Sequence, residues 1–291
     1  MMNNTGGLIL LNKPSEITSF RGLNVLKKSL GTGKVGHTGT LDKFADGLIV
    51  SLFGKMTKLV PEFTGMDKEY IALIAFGEET ATLDPEGDVI FTAAPPDLNM
   101  INAVLPFFLG KIEQTPPQYS AIHINGKRAY ELVREGKRVE IPSREIIVYD
   151  FDIISYNKPL LKVRIKCSKG TYIRSLARDL AIKCGSRAHL VELKRTEVGP
   201  FHLSQSVKPE EFNPETHIMK PWVIFDYLDH IDKKIIIDEH INEIKSGKEW
   251  ILKEIASDFP DNREYALFDK NKEMIALIQK INGTISYRFV C

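Results

Sequence analysis

The chain has 291 residues, enough for one large domain and a small one, with an ordinary globular balance of 43% hydrophobic and 26% charged residues. A net charge of +1 neither favours nor excludes a polyanionic partner. Three scattered cysteines without a CxxC pair argue against a zinc site or a disulfide framework and fit a reducing compartment. The only apolar run near the N-terminus, residues 8–11, is too short for a signal peptide or a membrane span, so a soluble cytoplasmic protein is expected.

Taken in order, residues 8–11 (LILL) read as a short strand. Thr18 or Ser19 can cap a helix that puts Leu23, Leu26 and Leu30 on one face and ends at Gly31. Gly31, Gly33 and Gly36 spell GxGxxG, but they follow a helical pattern rather than a strand, which makes a dinucleotide site a weak reading. Residues 36–50, GHTGTLDKFADGLIV, favour a tight loop, because glycine takes backbone angles that other residues avoid. The run LIVSLF at 48–53 reads as a buried anchor for that loop, which displays Asp42. From spacing alone, a lone aspartate there is an Asx turn or a helix cap.

A short helix over 55–63 leads to a strand over 68–77, with Tyr70 a half-buried aromatic near its start. Asp84, Pro85 and Gly87 supply turn chemistry, in a stretch too short for a calcium loop. Asp97 is placed to cap a helix reaching Phe108. Lys127, Arg128, Arg134, Lys137, Arg138 and Arg144 make the next region basic, and the interleaved Tyr130 favours RNA contact over a merely solvated face. Residues 161–167 alternate, with Leu161, Val163, Ile165 and Cys167 on one face. Thr171 is a candidate cap for a helix burying Ile173, Leu176, Ala177 and Leu180 and ended by Gly185; Arg174 and Arg178 share its other face. Ten lysines and arginines against two acids over residues 162–195 predict a phosphate-binding face. Residues 230–291 read as short strands turned at Ser246-Gly247, Asp261-Asn262 and Asn282-Gly283.

Several separated motifs, in order over about residues 6–206, resemble the bacterial TruB family of tRNA pseudouridine synthases. GHTGTLD at 36–42 is similar to the family's catalytic loop, with Lys43 where proline is usual. Lys13, Pro14, Thr18 and Ser19 match KPxGxTS, with Glu16 in place of the glycine. Residues 80–88 resemble TDTxDxxG, with Ala81 for the first aspartate. Residues 114–136 match QxPPxxSA and the basic G-x-R-A-Y-E helix after it, with His123 where lysine is usual. KGTYIRSLARDL and LKRTEVGPF match the two remaining segments, and the tail resembles the family's PUA-like domain.

The resemblance implies an α+β pseudouridine synthase fold: a large antiparallel-rich mixed sheet with a cleft across it over residues 1–228, an RNA-gripping insertion at about 114–144, and a small mostly β PUA-like domain over 229–291. It implies isomerisation of uridine 55 in the T-loop of tRNA, by base flipping, with Asp42 as nucleophile. Arg174 would pair with Asp42, keeping the carboxylate charged and lowering its pKa. Tyr70 would stack on the extruded base, Leu193 would shape the pocket floor, and His37 would fill behind the base. Lys13, Lys127, Arg128, Tyr130, Arg134 and Arg178 would contact RNA. The implied partner is the T-arm stem-loop, with no guide RNA, membrane or protein partner, and no metal or other cofactor. The alternative from another class is a tRNA-binding or tRNA-folding module without catalysis; intact Asp42, Tyr70 and Arg174 favour the enzyme.

Overall fold

The computed structural model describes residues 5–120, 122–124, 126–135 and 140–291, with the backbone alone at Tyr130 and Arg134. Strand β1 (Gly6–Lys13) runs into helix α1 (Ser19–Ser29), where the Thr18 hydroxyl accepts the Arg21 N–H as the N-cap. Gly31, at φ +61°, ends the helix. Gly31 and Gly33 therefore lie between a helix and strand β2 (Val35–His37), which contains Gly36, the reverse of the strand-to-helix order of a dinucleotide loop. Strand β3 (Asp46–Gly54) pairs antiparallel with β1 from Gly6↔Gly54 to Lys13↔Gly47. A 3₁₀ turn (Lys55–Leu59) and α2 (Val60–Thr64) make up the expected short helix.

Strand β4 (Lys68–Phe76) alternates buried and half-buried residues, and β5 (Glu78–Thr80) and β6 (Val89–Thr92) form a hairpin around Asp84. Helix α3 (Leu98–Val104) follows Asp97, whose carboxylate pairs with Lys158 at 2.9 Å instead of capping the helix. Strand β7 (Gly110–Gln114) precedes the small hairpin β8 (His123–Ile124) and β9 (Lys127–Arg128), then α4 (Ala129–Arg134). Strands β10 (Arg144–Asn157) and β11 (Leu160–Cys167), helix α5 (Ile173–Lys183), and strands β12 (Ala188–Val198) and β13 (Phe201–His202) complete the body. Thr171 does not cap α5; its hydroxyl donates to the Ser168 carbonyl. Among the described residues no side chain caps α5; Gln114 instead fixes the N-cap residue, accepting the Tyr172 N–H at 2.8 Å and donating to the Tyr172 carbonyl at 3.0 Å.

The central sheet runs β1-β3-β12-β4-β11-β10-β7, with β2 on β3 and β13 on β12. All these pairings are antiparallel except β12 with β3, which is parallel at Lys194↔Asp46 and Arg195↔Gly47. Gly47 is required there: at φ +113°, an added Cβ would lie 2.4 Å from the Arg195 carbonyl. Both faces of β1 and β3 are covered, which explains their unbroken apolar runs. Ile9, Leu11 and Ile49 join Leu23, Leu26, Leu176 and Leu180 of the helices on one face. Leu8, Leu10, Leu48 and Val50 pack on the other against Met56, Leu59 and Phe63.

After α6 (Pro221–Ile224), a second sheet of order β14-β15-β16-β17 is built from β14 (Ile231–Ile235), β15 (Arg263–Phe268), β16 (Met274–Ile281) and β17 (Thr284–Val290). Between β14 and β15 lie α7 (Ile241–Lys245) and α8 (Glu249–Ile255), which corrects the all-strand reading. The reason is topological: β14 and β15 are parallel, and a parallel pair needs a crossover rather than a hairpin. Gly247, at φ +70°, lies between the two helices, whereas Asn282 and Gly283, both at positive φ, make the two-residue turn of the β16–β17 hairpin. No helix among the described residues is long and apolar enough to cross a membrane.

Candidate active site

A cleft of about 1040 Å³ opens on the helix-covered side of the sheet, lined by Asp42, Tyr70, Arg174, Leu193 and Arg195 among others. Sheet register brings Tyr70, Leu193 and Arg195 together. Leu193 opposes Ala72 and Arg195 opposes Tyr70 on adjacent antiparallel strands, so their side chains share one face. Asp42 comes from the loop before β3 and Arg174 from the first turn of α5.

Arg174 is 4% exposed, so it is not the solvated helix arginine that its spacing suggests. It meets Asp42 side-on: Nη2 donates to Oδ1 at 3.1 Å, and Nε lies 2.9 Å from Oδ2 as an ion-pair contact without hydrogen-bond alignment. Nη1 donates to Asp84 Oδ2 at 3.2 Å and to the Thr82 carbonyl at 2.8 Å; Nη2 also donates to the Tyr119 carbonyl at 3.0 Å. One guanidinium thus ties together three segments far apart in sequence and serves two carboxylates. Burial is the largest influence on Asp42 and lifts its carboxyl above the ordinary value; Asp84 adds to this, and Arg174 opposes without reversing it. The expected lowering is corrected, because burial outweighs the opposing pull of Arg174. The Asp42 side chain is still 34% exposed, and it opens onto the cleft.

Other expected site residues fall in different places. Tyr70 is buried, and burial raises its phenol further above the physiological range. Leu193 belongs both to the core and to the cleft lining. His37 lies behind the loop, outside the cleft lining; its Nδ1 accepts the Gly39 N–H at 3.3 Å, and burial lowers its pKa, which keeps the ring neutral. Lys13 is no RNA contact. It is completely buried, and its ammonium donates to the carbonyls of Pro14, Ile17, Lys43 and Ala45, tying the far end of the Asp42 loop to the turn before α1. Arg178 donates to Asp179 and to the Thr115 carbonyl at the root of the insertion. Lys127 pairs with Glu135 at 3.0 Å, and the exposed Arg128 donates its N–H to Glu131. The side chains of Tyr130 and Arg134, and all of Lys137 and Arg138, lie outside the described residues.

The basic excess over 162–195 is largely committed within the protein. Arg164, Arg174, Arg178, Arg187 and Lys194 are ion-paired, and Arg195 is 1% exposed, donating to the Leu48 and Gly39 carbonyls. Lys162 and Lys166 are opposite Leu73 and Glu69, on the face away from Tyr70. β11 therefore turns these two lysines away from the cleft; Lys169, exposed on the following turn, does line it. Sequence reasoning missed Asp84, read as a turn residue, and Arg195 and Lys68. Lys68 is buried beside the cleft and held down to about 8 by burial. The signal for Asp84 was the match to TDTxDxxG; for the two cations no pattern distinguishes a buried lysine or arginine from a solvated one.

The Glu16 position keeps a glycine-like backbone, at φ +64°, despite its side chain. A glycine would take this backbone freely, whereas Glu16 bears a strain of about 1 kcal/mol.

These features define an α+β enzyme with an arginine-held carboxylate in a nucleotide-sized cleft. The profile of the TruB family pseudouridylate synthase N-terminal domain matches residues 27–173, and that of the tRNA pseudouridylate synthase B C-terminal domain matches 174–231. A tRNA pseudouridine synthase B of Borreliella burgdorferi (strain ZS7) is 41% identical over 98% of both chains. One of Francisella tularensis subsp. tularensis (strain WY96-3418) is 44% identical over 72% of this chain and 70% of its own. The chain belongs to the TruB family of pseudouridylate synthases, which are isomerases. A chain of a Cbf5-Nop10-Gar1 complex superposes with a TM-score of 0.66 at 22% identity, covering 99% of this chain and 86% of that one, which shows a shared fold.

Proposed function

We propose that this chain isomerises uridine 55 in the T-loop of tRNA, acting alone in the cytoplasm on the T-arm stem-loop without a guide RNA. What supports this reading is the side-on contact of Arg174 with Asp42 in a cleft that also presents Tyr70 and Leu193. The flipped uridine enters the cleft, where Tyr70 stacks on the base and Leu193 limits its depth. Ionised Asp42 is the nucleophile, aimed by Arg174, while the carbon–nitrogen glycosidic bond breaks and carbon 5 of uracil replaces the nitrogen. Atoms balance as in any isomerisation. Extrusion costs a few kcal/mol, and stacking returns about 1–3 kcal/mol per base.

The test is a synthetic T-arm hairpin with tritium at carbon 5 of uridine. The wild type should release tritium and leave pseudouridine at position 55, and Asp42→Asn should release none while binding within a few-fold. Product in full tRNA at another site, and none in the hairpin, would overturn the substrate assignment; turnover by Asp42→Asn would overturn the nucleophile.

A further inference from the structure

We propose that Lys43 binds a backbone phosphate of the bound RNA at the rim of the cleft, with Glu86 as its stand-in partner in the free protein. The proposal rests on the RNA substrate assigned above. Lys43 follows Asp42 directly, and its backbone is fixed: its carbonyl accepts the Lys13 ammonium at 3.3 Å, and the Asp42 carbonyl accepts the Ala45 N–H at 3.2 Å. The side chain is therefore delivered to a defined place beside the candidate nucleophile. Its ammonium lies 2.8 Å from Glu86 Oε1 and 3.6 Å from Glu16 Oε2. Glu86 is equally well placed, because its N–H donates to Asp84 Oδ1 at 3.1 Å and Asp84 is held by Arg174. Lys43, Glu86 and Asp42 all line the same cleft.

Glu86 lines a cleft that admits a polyanion and repels it, and the Lys43 ammonium beside it is a counter-charge at that point of the rim. The Lys43 and Glu86 side chains are 47% and 44% exposed, and a pair so solvated is held weakly. A phosphate can take over the ammonium at little net loss. The buried cations nearby cannot do the same. Lys13 and Lys68 are spent on backbone carbonyls, and Arg174 and Arg195 on the loop and its carboxylates.

The test measures KM for the T-arm hairpin at several salt concentrations for the wild type, Lys43→Gln, Glu86→Gln and the double variant. Lys43→Gln should raise KM about tenfold, the worth of one charge-assisted contact. It should also flatten the slope of log KM against log salt by roughly 0.7–0.9, one phosphate contact. Glu86→Gln should lower KM about two- to fivefold by freeing the ammonium. The double variant should stay as impaired as Lys43→Gln. Recovery of wild-type KM in the double variant would mean that Lys43 only neutralises Glu86, and would overturn the proposal, as would an unchanged slope in Lys43→Gln. Wild-type product in the same assay keeps these outcomes apart from failure of the substrate assignment, which would appear as no product with any variant. Thermal melts of each variant separate loss of binding from loss of fold.

Discussion

At the scale of single residues, burial and charge oppose each other at Asp42. Burial raises the carboxyl most, Arg174 pulls it back, and Asp84, held by the same guanidinium, pushes it up again. A nucleophile must be ionised, so the acid limb of the kcat/KM profile should lie above the pH at which an ordinary aspartate titrates. Asp84 is the larger of the two like charges raising Asp42, so Asp84→Asn should move that limb to lower pH while lowering the plateau, because Arg174 loses one anchor. A limb that stays in place in Asp84→Asn would show that the two carboxylates are not electrostatically coupled. Single-turnover rates on hairpin RNA between pH 4 and 8 give the measurement.

At the scale of elements, the Asp42 loop is rigid because neighbouring elements hold it from behind. Lys13 at the end of β1 holds the Lys43 and Ala45 carbonyls that follow Asp42, Arg195 of β12 holds the Gly39 and Leu48 carbonyls, and Ser19 of α1 both donates to the Leu41 carbonyl and accepts the Leu41 N–H. Lys13→Met keeps the stem but leaves four carbonyls without their donor, and should destabilise the fold by about 2–4 kcal/mol. Equilibrium urea unfolding measures this, and a loss under 1 kcal/mol would mean water replaces the ammonium. Burial pulls the Lys13 pKa down to about 8 from 10.5. The unfolded chain therefore binds the proton more tightly across that window, and wild-type stability should gain on Lys13→Met as pH rises from 8 towards 10.

At the scale of the whole molecule, the two sheets share one core. Ala266, Phe268, Leu277 and Phe289 of the second sheet share a cluster with Leu8 and Leu48 of the first and with Met56 and Phe63 of the 3₁₀ turn and α2, and the Lys55 and Lys58 ammoniums donate to carbonyls of β17. Removing residues 229–291 would thus expose part of the body's own core. Unfolding should be a single cooperative transition, and Phe268→Ala, fully buried at this junction against Trp222 and Phe225, should lower its stability by about 3–5 kcal/mol without splitting it. Two transitions separated in urea, seen by circular dichroism and tryptophan fluorescence, would show independent units instead. Charge is likewise organised globally. Lys169→Gln should weaken RNA binding, whereas Lys162→Gln and Lys166→Gln together should leave affinity within twofold, since of these three Lys169 alone lines the cleft. A steep loss in the Lys162/Lys166 pair would place RNA on the back of the sheet.

The sequence by itself determined the elements whose signals are local. The Thr18 cap, the Gly31 stop, the alternation of residues 161–167 and the Asn282-Gly283 turn follow from backbone preference and period, and the motif order carried the family and Asp42 with it. Only tertiary structure decided what the charged residues do. Lys13, Arg174 and Arg195 look solvated in sequence and are buried in the fold, because a cation can be buried wherever carbonyls or carboxylates from distant segments converge on it. Asp84 became part of the site for the same reason: its partner lies 90 residues away, across a contact that no local pattern encodes.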